Sequence, residues 1–326
     1  MLKTQQGILE AVGNTPMVNL GVDGYRFMAK LEYMNPFGSM KDRAVSALLT
    51  QLLKCGTINQ STTIIESSSG NFAVALAGAC AVLGLKSICV VDHNLTKSNQ
   101  HILEQYGSKL IQVTTSKKDQ SFQEKRIETV KRIIATQDNI YWTNQYDNQL
   151  IQEAYFPLAE EILDQFPQME CIYIPVSTCG TIAGVSSWIK KYKPEVEIIA
   201  VDSCGSQIFA ERIGRNRFPG MGSRVKPKNL QRATVDKVVL VSDYECILNC
   251  KLLLKQGLFV GASSGAVVAA IKKVSERDKK IVAIFPDRGD RYLDNLFNEE
   301  WYQENLSQLL RDNQILANSV IQDNYK

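Results

Sequence analysis

Lys41 stands in the run Asn35-Pro36-Phe37-Gly38-Ser39-Met40-Lys41-Asp42-Arg43, between a Pro/Gly turn and a segment with helical patterning. A lysine that forms a Schiff base must be pinned at a fixed point, partly desolvated, and able to act as a free amine once its aldehyde partner passes to a substrate. The junction of a loop with a helix meets those needs. The chain holds 37 Lys and Arg, nearly all of which must be solvated charges, so the company Lys41 keeps decides its role.

Three further junctions place small and hydroxylated residues between a strand-like run and a helix-like one. Glu66-Ser67-Ser68-Ser69-Gly70-Asn71 opens the apolar segment Phe72-Ala73-Val74-Ala75-Leu76-Ala77. Hydroxyls and backbone N–H groups at such a helix start form a receptor for a carboxylate, and a serine-rich N-cap is the plainer reading. Pro175-Val176-Ser177-Thr178-Cys179-Gly180-Thr181 can cradle a phosphate without lysine or arginine, or serve as a simple strand-to-helix turn. It lacks the Gly-Lys-Ser/Thr of a nucleoside-triphosphate loop. Gly257-Leu258-Phe259-Val260-Gly261-Ala262-Ser263-Ser264-Gly265-Ala266 lets backbone approach a flat ligand closely. Its GxSxG match to a nucleophile elbow is accidental, because His93 and His101 are the only histidines and both lie in a polar loop and helix start. The same scarcity argues against a Ser-His-Asp triad and a zinc site, and no metal is expected.

The elements that must position these residues follow from length and pattern. A chain of 326 residues with 44% hydrophobic and 22% charged residues suits about two globular domains. Short, nearly continuous apolar runs at 62–66, 87–91, 109–113, 171–176, 197–201 and 280–285 alternate with helical patterns. This predicts an α/β fold of two domains, each with a mostly parallel sheet flanked by helices, and an active site in the interdomain cleft at the carboxyl ends of strands. The smaller domain is expected over 40–150, and the larger over 1–39 plus 151–326. From about Gln303 the chain is polar with a helical pattern, either a packed tail or a frayed one.

A net charge of +3, with no basic stripe, gives no reason to expect nucleic acid or membrane as a partner. Lys117-Lys118 and Lys279-Lys280 read as solvated faces. No basic-then-apolar leader opens the sequence and no apolar stretch reaches the ~20 residues of a membrane span. The cytoplasm is the expected address. The eight cysteines are scattered with no CxxC pair, as buried thiols of a reducing compartment would be.

Taken in order, Asn35-Pro36-x-Gly38-Ser39-x-Lys41-Asp42-Arg43, Ser68-Ser69-Gly70-Asn71, Gly180-Thr181, Gly261-x-Ser263-Ser264-Gly265-Ala266 and Asp287-Arg288-Gly289-Asp290-Arg291-Tyr292-Leu293 resemble the cysteine synthase family. The resemblance is to a fold-type II pyridoxal-phosphate enzyme over nearly the full chain. It implies pyridoxal 5′-phosphate on Lys41 as a Schiff base, Asn71 on the cofactor 3′-oxygen, Ser177, Thr178, Cys179, Gly180 and Thr181 around its phosphate, and Ser263 beside the ring nitrogen, with Asp287 as a rival there. A neutral serine at that nitrogen makes a weaker electron sink, which suits β-elimination and replacement through an aminoacrylate. Lys41 would remove the α-proton.

Departures from that family narrow the reading. Its phosphate loop commonly reads Gly-Thr-Gly-Gly-Thr, so Ser177 adds a hydroxyl toward the cleft; Phe72 replaces a threonine, and Tyr146 a common phenylalanine. Gln145 matches a position that holds the substrate carboxylate. A hydroxyl-lined pocket suits a dicarboxylate better than hydrosulfide. The runs Ala29–Pro36, Val90-Val91-Asp92, Asn144-Gln145-Tyr146, Pro175–Thr178, Ala200-Val201-Asp202 and Pro286–Asp294 resemble the siderophore-type N-(2-amino-2-carboxyethyl)-L-glutamate synthases. That resemblance implies joining O-phospho-L-serine to L-glutamate, with Arg126, Tyr146 and Ser177 on the second substrate. It also implies a homodimer and a dehydrogenase that takes the product to 2,3-diaminopropionate for a siderophore or antibiotic. Arg126 supplies a planar fork for a carboxylate, unless it faces solvent on its helix. Arg224 is the candidate for the phosphoserine phosphate, while Arg288 and Arg291 are expected to pair with Asp287 and Asp290. The alternatives are a cysteine synthase using O-acetylserine or O-phosphoserine, and a non-catalytic paralogue that binds another enzyme.

Overall fold

The computed structural model describes residues 7–114, 121–209, 215–317 and 322–323, so the Lys117-Lys118 pair lies outside the described residues. Its strands are β1 (Met17–Val22), β2 (Tyr25–Leu31), β3 (Thr63–Ser67), β4 (Lys86–Val91), β5 (Lys109–Gln112), β6 (Ile140–Trp142), β7 (Cys171–Pro175), β8 (Glu197–Ser203), β9 (Lys237–Val241), β10 (Ile281–Phe285) and β11 (Gln322–Asp323). Its helices are α1 (Lys41–Lys54), α2 (Asn71–Leu83), α3 (Lys97–Gln105), α4 (Phe122–Thr136), α5 (Gln149–Glu153), α6 (Phe156–Gln165), α7 (Gly180–Tyr192), α8 (Asp243–Leu254), α9 (Ala262–Val274) and α10 (Glu299–Ala317).

The strands divide into two sheets. One is four-stranded, β5-β4-β3-β6, and parallel throughout. The other is seven-stranded, β1-β2-β10-β7-β8-β9-β11, parallel from β2 to β9 with antiparallel edges at β1 and β11. Helices cover both, giving two α/β domains as the alternation of apolar runs predicts. The reason is visible in β7 and β10, which are buried at every position and so read as unbroken hydrophobic segments. Strands β1 and β6 escape that signal because they are partly exposed along their length. Strand β9 carries it, with Val238, Val239 and Val241 buried, and adds to the expected set. Helix α10 begins at Glu299, ahead of the expected Gln303, and is a packed element that buries Leu309 in the core with α8.

Several carboxyl strand ends converge. Ser67 ends β3, Asp92 follows β4, Gln145 follows β6, Ser177 follows β7 and Asp287 follows β10. The loop bearing Lys41 is fastened among them. Gly38 takes a left-handed turn at φ +86°, the Asp42 carboxylate accepts from Phe37 N–H at 2.6 Å, and Met40 N–H donates to Pro286 O at 2.8 Å. The Phe37 ring lies so close to α2 that a Cβ on Gly78 would sit 2.7 Å from it. One turn into α1, buried Arg43 pairs with Glu32 at 2.6 Å and Glu161 at 2.7 Å, and Glu161 takes Lys30 at 2.7 Å, so α1 is bound to β2 and α6.

Candidate active site

A cavity of about 560 Å³ opens between the two sheets, lined by Lys41, Ser68, Ser69, Asn71, Arg126, Gln145, Tyr146, Ser177, Thr178 and Arg224 among others. The structure thus gathers ten of the sequence candidates at one place. Cys179, Gly180, Thr181 and Ser263 are not among the lining residues but adjoin it in the chain or through side chains.

Lys41 is the first residue of α1, and its Nζ has no hydrogen-bond partner among the described residues. Burial pushes its ammonium pKa down to about 8, while the nearby Cys179 and Asp287 pull the other way. An amine so placed loses its proton around pH 8, well below an ordinary lysine. At the opposite face, β7 runs through Ser177 and Thr178 into α7, with Cys179 in the left-handed region at φ +58° as its N-cap. No side chain caps this helix, so the first N–H groups of α7 remain available to an anion. Ser177 Oγ donates to Gly222 O at 2.9 Å, which directs it to the loop over the cavity.

The start of α2 is capped by Gly70 and receives no side-chain cap, so the serine-rich N-cap reading does not hold. Ser67 Oγ is buried without a partner among the described residues. Ser68 Oγ accepts from Gly70 N–H at 3.4 Å. Ser69 is fully engaged: it donates to Asp92 Oδ1 at 3.2 Å and accepts from Arg126 Nη1 at 2.9 Å and Asp92 N–H at 3.2 Å. Asn71 Nδ2 donates to Asp287 Oδ2 at 2.6 Å, and Ser263 Oγ donates to Asp287 Oδ1 at 3.4 Å. The two rivals for the ring nitrogen therefore touch each other. Tyr292 OH also donates to Asp287, at 2.7 Å, and burial pushes the Asp287 carboxyl up despite these donors.

Arg126 does not face solvent. Its side chain is 12% exposed and pairs with Asp92 at 3.1 Å. Tyr146 lies near it, with its phenol pushed up to about 12 by burial and pulled back by Arg126. Gln145 spends its side-chain N–H on Ser67 O at 3.2 Å. Arg224 is exposed at the rim, where its N–H donates to Gln123 Oε1 at 3.3 Å. Arg288 pairs with Asp290 at 3.5 Å as expected, whereas Arg291 donates to Phe37 O at 2.6 Å and braces the Lys41 loop.

Sequence reasoning passed over four residues here. Glu66, buried at the end of β3, accepts from Thr143 Oγ1 at 2.6 Å and Gln145 N–H at 3.1 Å and so holds the segment bearing Tyr146. Asn229 donates to Gln145 O and Thr178 O, both at 2.9 Å, clipping the two domains together. Gln123 crosses the cleft to Ser223, and Asp92 fixes Arg126. Asp92 was findable, since it follows an apolar strand at its carboxyl end. His93, expected in a plain polar loop, lines the cavity and packs against Phe122 with ring centroids 4.0 Å apart and planes tilted by 53°.

The chain matches the family model described as pyridoxal-phosphate dependent enzyme over residues 8–287. Among solved structures it is similar to an O-acetylserine dependent cystathionine beta-synthase from Helicobacter pylori, with a TM-score of 0.83 and 30% identity over 90% of this chain and 99% of that one. It is also similar to a hydrogen sulfide-producing enzyme from Fusobacterium nucleatum (TM-score 0.82, 26% identity, 89% and 100% covered). An O-ureido-L-serine synthase gives a TM-score of 0.82 at 25% identity, with 91% and 96% covered. The donor set fits such a cofactor: an amine with a loosened proton, an uncapped helix start with hydroxyls for a phosphate, and half-buried Asn71 with buried Ser263 and Asp287 for ring heteroatoms. The chain belongs to the pyridoxal-phosphate dependent enzymes, as a fold-type II member of the cysteine synthase superfamily, and its cofactor is pyridoxal 5′-phosphate.

Proposed function

We propose that the protein joins O-phospho-L-serine to the amine of L-glutamate by β-replacement, giving N-(2-amino-2-carboxyethyl)-L-glutamate and phosphate. When bound, the cofactor supplies an electron sink for the amino acid attached to it. Lys41 is the base of the scheme: its lowered pKa enlarges the share of free Nζ able to take up the donor's α-proton. Ser68, the backbone N–H of Ser69 and Gln145 receive the donor carboxylate, Asn71 meets the cofactor 3′-oxygen, Ser177 through Thr181 hold the cofactor phosphate, and Ser263 backed by Asp287 meets the ring nitrogen. Arg224 at the rim receives the leaving phosphate.

The observation that carries the choice of acceptor is Arg126, a guanidinium drawn into the cavity beside Tyr146. An acidic acceptor uses that fork, and hydrosulfide has no use for it. The same reading makes 40–150 the smaller domain, the protein a cytoplasmic homodimer, and a dehydrogenase the consumer of the product. All eight cysteines are free, which supports a reducing compartment, and no helix among the described residues is long and apolar enough to cross a membrane. A cysteine synthase is the second reading, favoured by the sulfur chemistry in the names of two similar structures. Incubating the cofactor-loaded protein with O-phosphoserine and glutamate, then weighing the products by mass spectrometry, tests the proposal. The expected mass is that of the two amino acids joined with loss of phosphate; its absence, with cysteine formed from sulfide, overturns it.

A further inference from the structure

Arg126 carries two bonds on one nitrogen. Nη1 donates to Ser69 Oγ at 2.9 Å and faces Asp92 Oδ2 at 3.1 Å, while Nε is buried with no partner among the described residues. A guanidinium offers carboxylates two flat edges, and a partner on Nη1 leaves the edge of Nε and Nη2 for a single side-on carboxylate. Asp92 is itself held rigidly: it is 2% exposed, and Oδ1 accepts from Asn94 N–H at 2.9 Å and Ser69 Oγ at 3.2 Å. Three fixed elements thus converge on the guanidinium, namely the turn after β4, the start of α2 and the helix α4.

We infer that Asp92 is a positioning residue for acceptor recognition, clamping Nη1 of Arg126 so that its Nε–Nη2 edge is presented to one carboxylate of an acidic acceptor. This rests on the proposed reaction with an acidic second substrate and adds how that substrate is selected. The ion pair balances Arg126 internally, so the cavity does not simply attract anions. It selects by the direction of one edge, and an acceptor without a carboxylate gains nothing there.

Asp92→Asn tests the clamp. An amide has one oxygen for two sides: turned to Asn94 N–H and Ser69, it aims its NH2 at Arg126, and turned to Arg126 it aims NH2 at Asn94 N–H. Either way the guanidinium loses its register. The expected result is a rise of about tenfold in KM for glutamate without a matching loss of kcat, the signature of lost binding rather than lost chemistry. In an Arg126→Ala background the same substitution should change the KM for glutamate little, because Asp92 reaches the acceptor through Arg126. An unchanged KM in Asp92→Asn, or an undiminished effect without Arg126, overturns the inference. If Asp92→Asn does not fold, Asp92→Glu serves instead, since glutamate keeps the charge opposite Arg126 and moves the carboxylate by one methylene. A similar KM rise is expected there, and a wild-type KM overturns the inference. Wild-type protein that shows no glutamate-dependent phosphate release overturns the proposed reaction and this inference together. A wild type that responds to glutamate while Asp92→Asn keeps its KM overturns the inference alone.

Discussion

Asn71 Nδ2 donates to Asp287 Oδ2 at 2.6 Å, which ties the first residue of α2 in the four-stranded domain to the loop after β10 in the seven-stranded one. Asp287 is the shared acceptor of Asn71, Tyr292 and Ser263 and is 1% exposed. Replacing it with alanine strands these donors in a buried site. The expected cost is about 2–4 kcal/mol of unfolding free energy, read from urea denaturation, with a change in the visible spectrum of the loaded protein. A wild-type midpoint would show that the three donors find water instead.

Lys41 carries a pH prediction. Its pKa of about 8 in the folded protein means that the amine is mostly protonated below that pH and free above it. Cofactor-free protein is therefore expected to capture pyridoxal 5′-phosphate covalently at a rate that rises with pH and levels off above about 8. Borohydride reduction followed by peptide mapping should place the label on Lys41. A midpoint near the ordinary lysine value of ~10.4 would mean that burial does not act as described.

Glu161 sets a second dependence, on stability. Burial opposes its ionisation, yet the hydrogen bonds and charge of Arg43, with Lys30, hold its pKa down to about 2. A carboxylate whose pKa is depressed on folding stabilises the protein above its unfolded value of ~4.3 and loses that contribution as pH falls toward 2. Glu161→Gln should accordingly destabilise the protein clearly at pH 6 and progressively less between pH 4 and 2.5. Urea unfolding of both proteins across that range reads the difference, and a constant gap would contradict it.

The architecture was largely legible because buried parallel strands announce themselves as unbroken apolar runs, as in β7 and β10. Lys41, the serine loop before α2 and the hydroxylated turn before α7 were legible for a related reason: each lies where a strand or turn feeds a helix. What stayed hidden depends on tertiary pairing. Nothing in the local sequence of Asn229 says that its amide meets Gln145 O and Thr178 O, and the sequence offers Arg126 as a fork for a carboxylate without showing that Asp92 and Ser69 fix it. Ser69 shows the same limit from the other side, because its hydroxyl reads as free in sequence and is fully committed in space.

Gln123 links the start of α4 to the loop over the cavity, with Nε2 donating to Ser223 Oγ at 3.2 Å and Oε1 accepting from Arg224 N–H at 3.3 Å. Both partners lie a hundred or so residues away in the other domain. Gln123→Ala should admit water in competition with the acceptor. The side reaction consumes O-phosphoserine and one water to give pyruvate, ammonium and phosphate, so the ratio of pyruvate to joined product is expected to rise several-fold. A ratio equal to that of the wild type would show that Gln123 does not help to close the cavity.

The central claim concerns the acceptor, and competition reads it most directly. Loaded protein is given O-phosphoserine with glutamate alone, sulfide alone, or both, while phosphate release and the products are followed together. The expected result is saturable, glutamate-dependent phosphate release with the joined amino acid as the main product even when sulfide is present. Phosphate release driven by sulfide alone, with cysteine as the product and no response to glutamate, would contradict the claim.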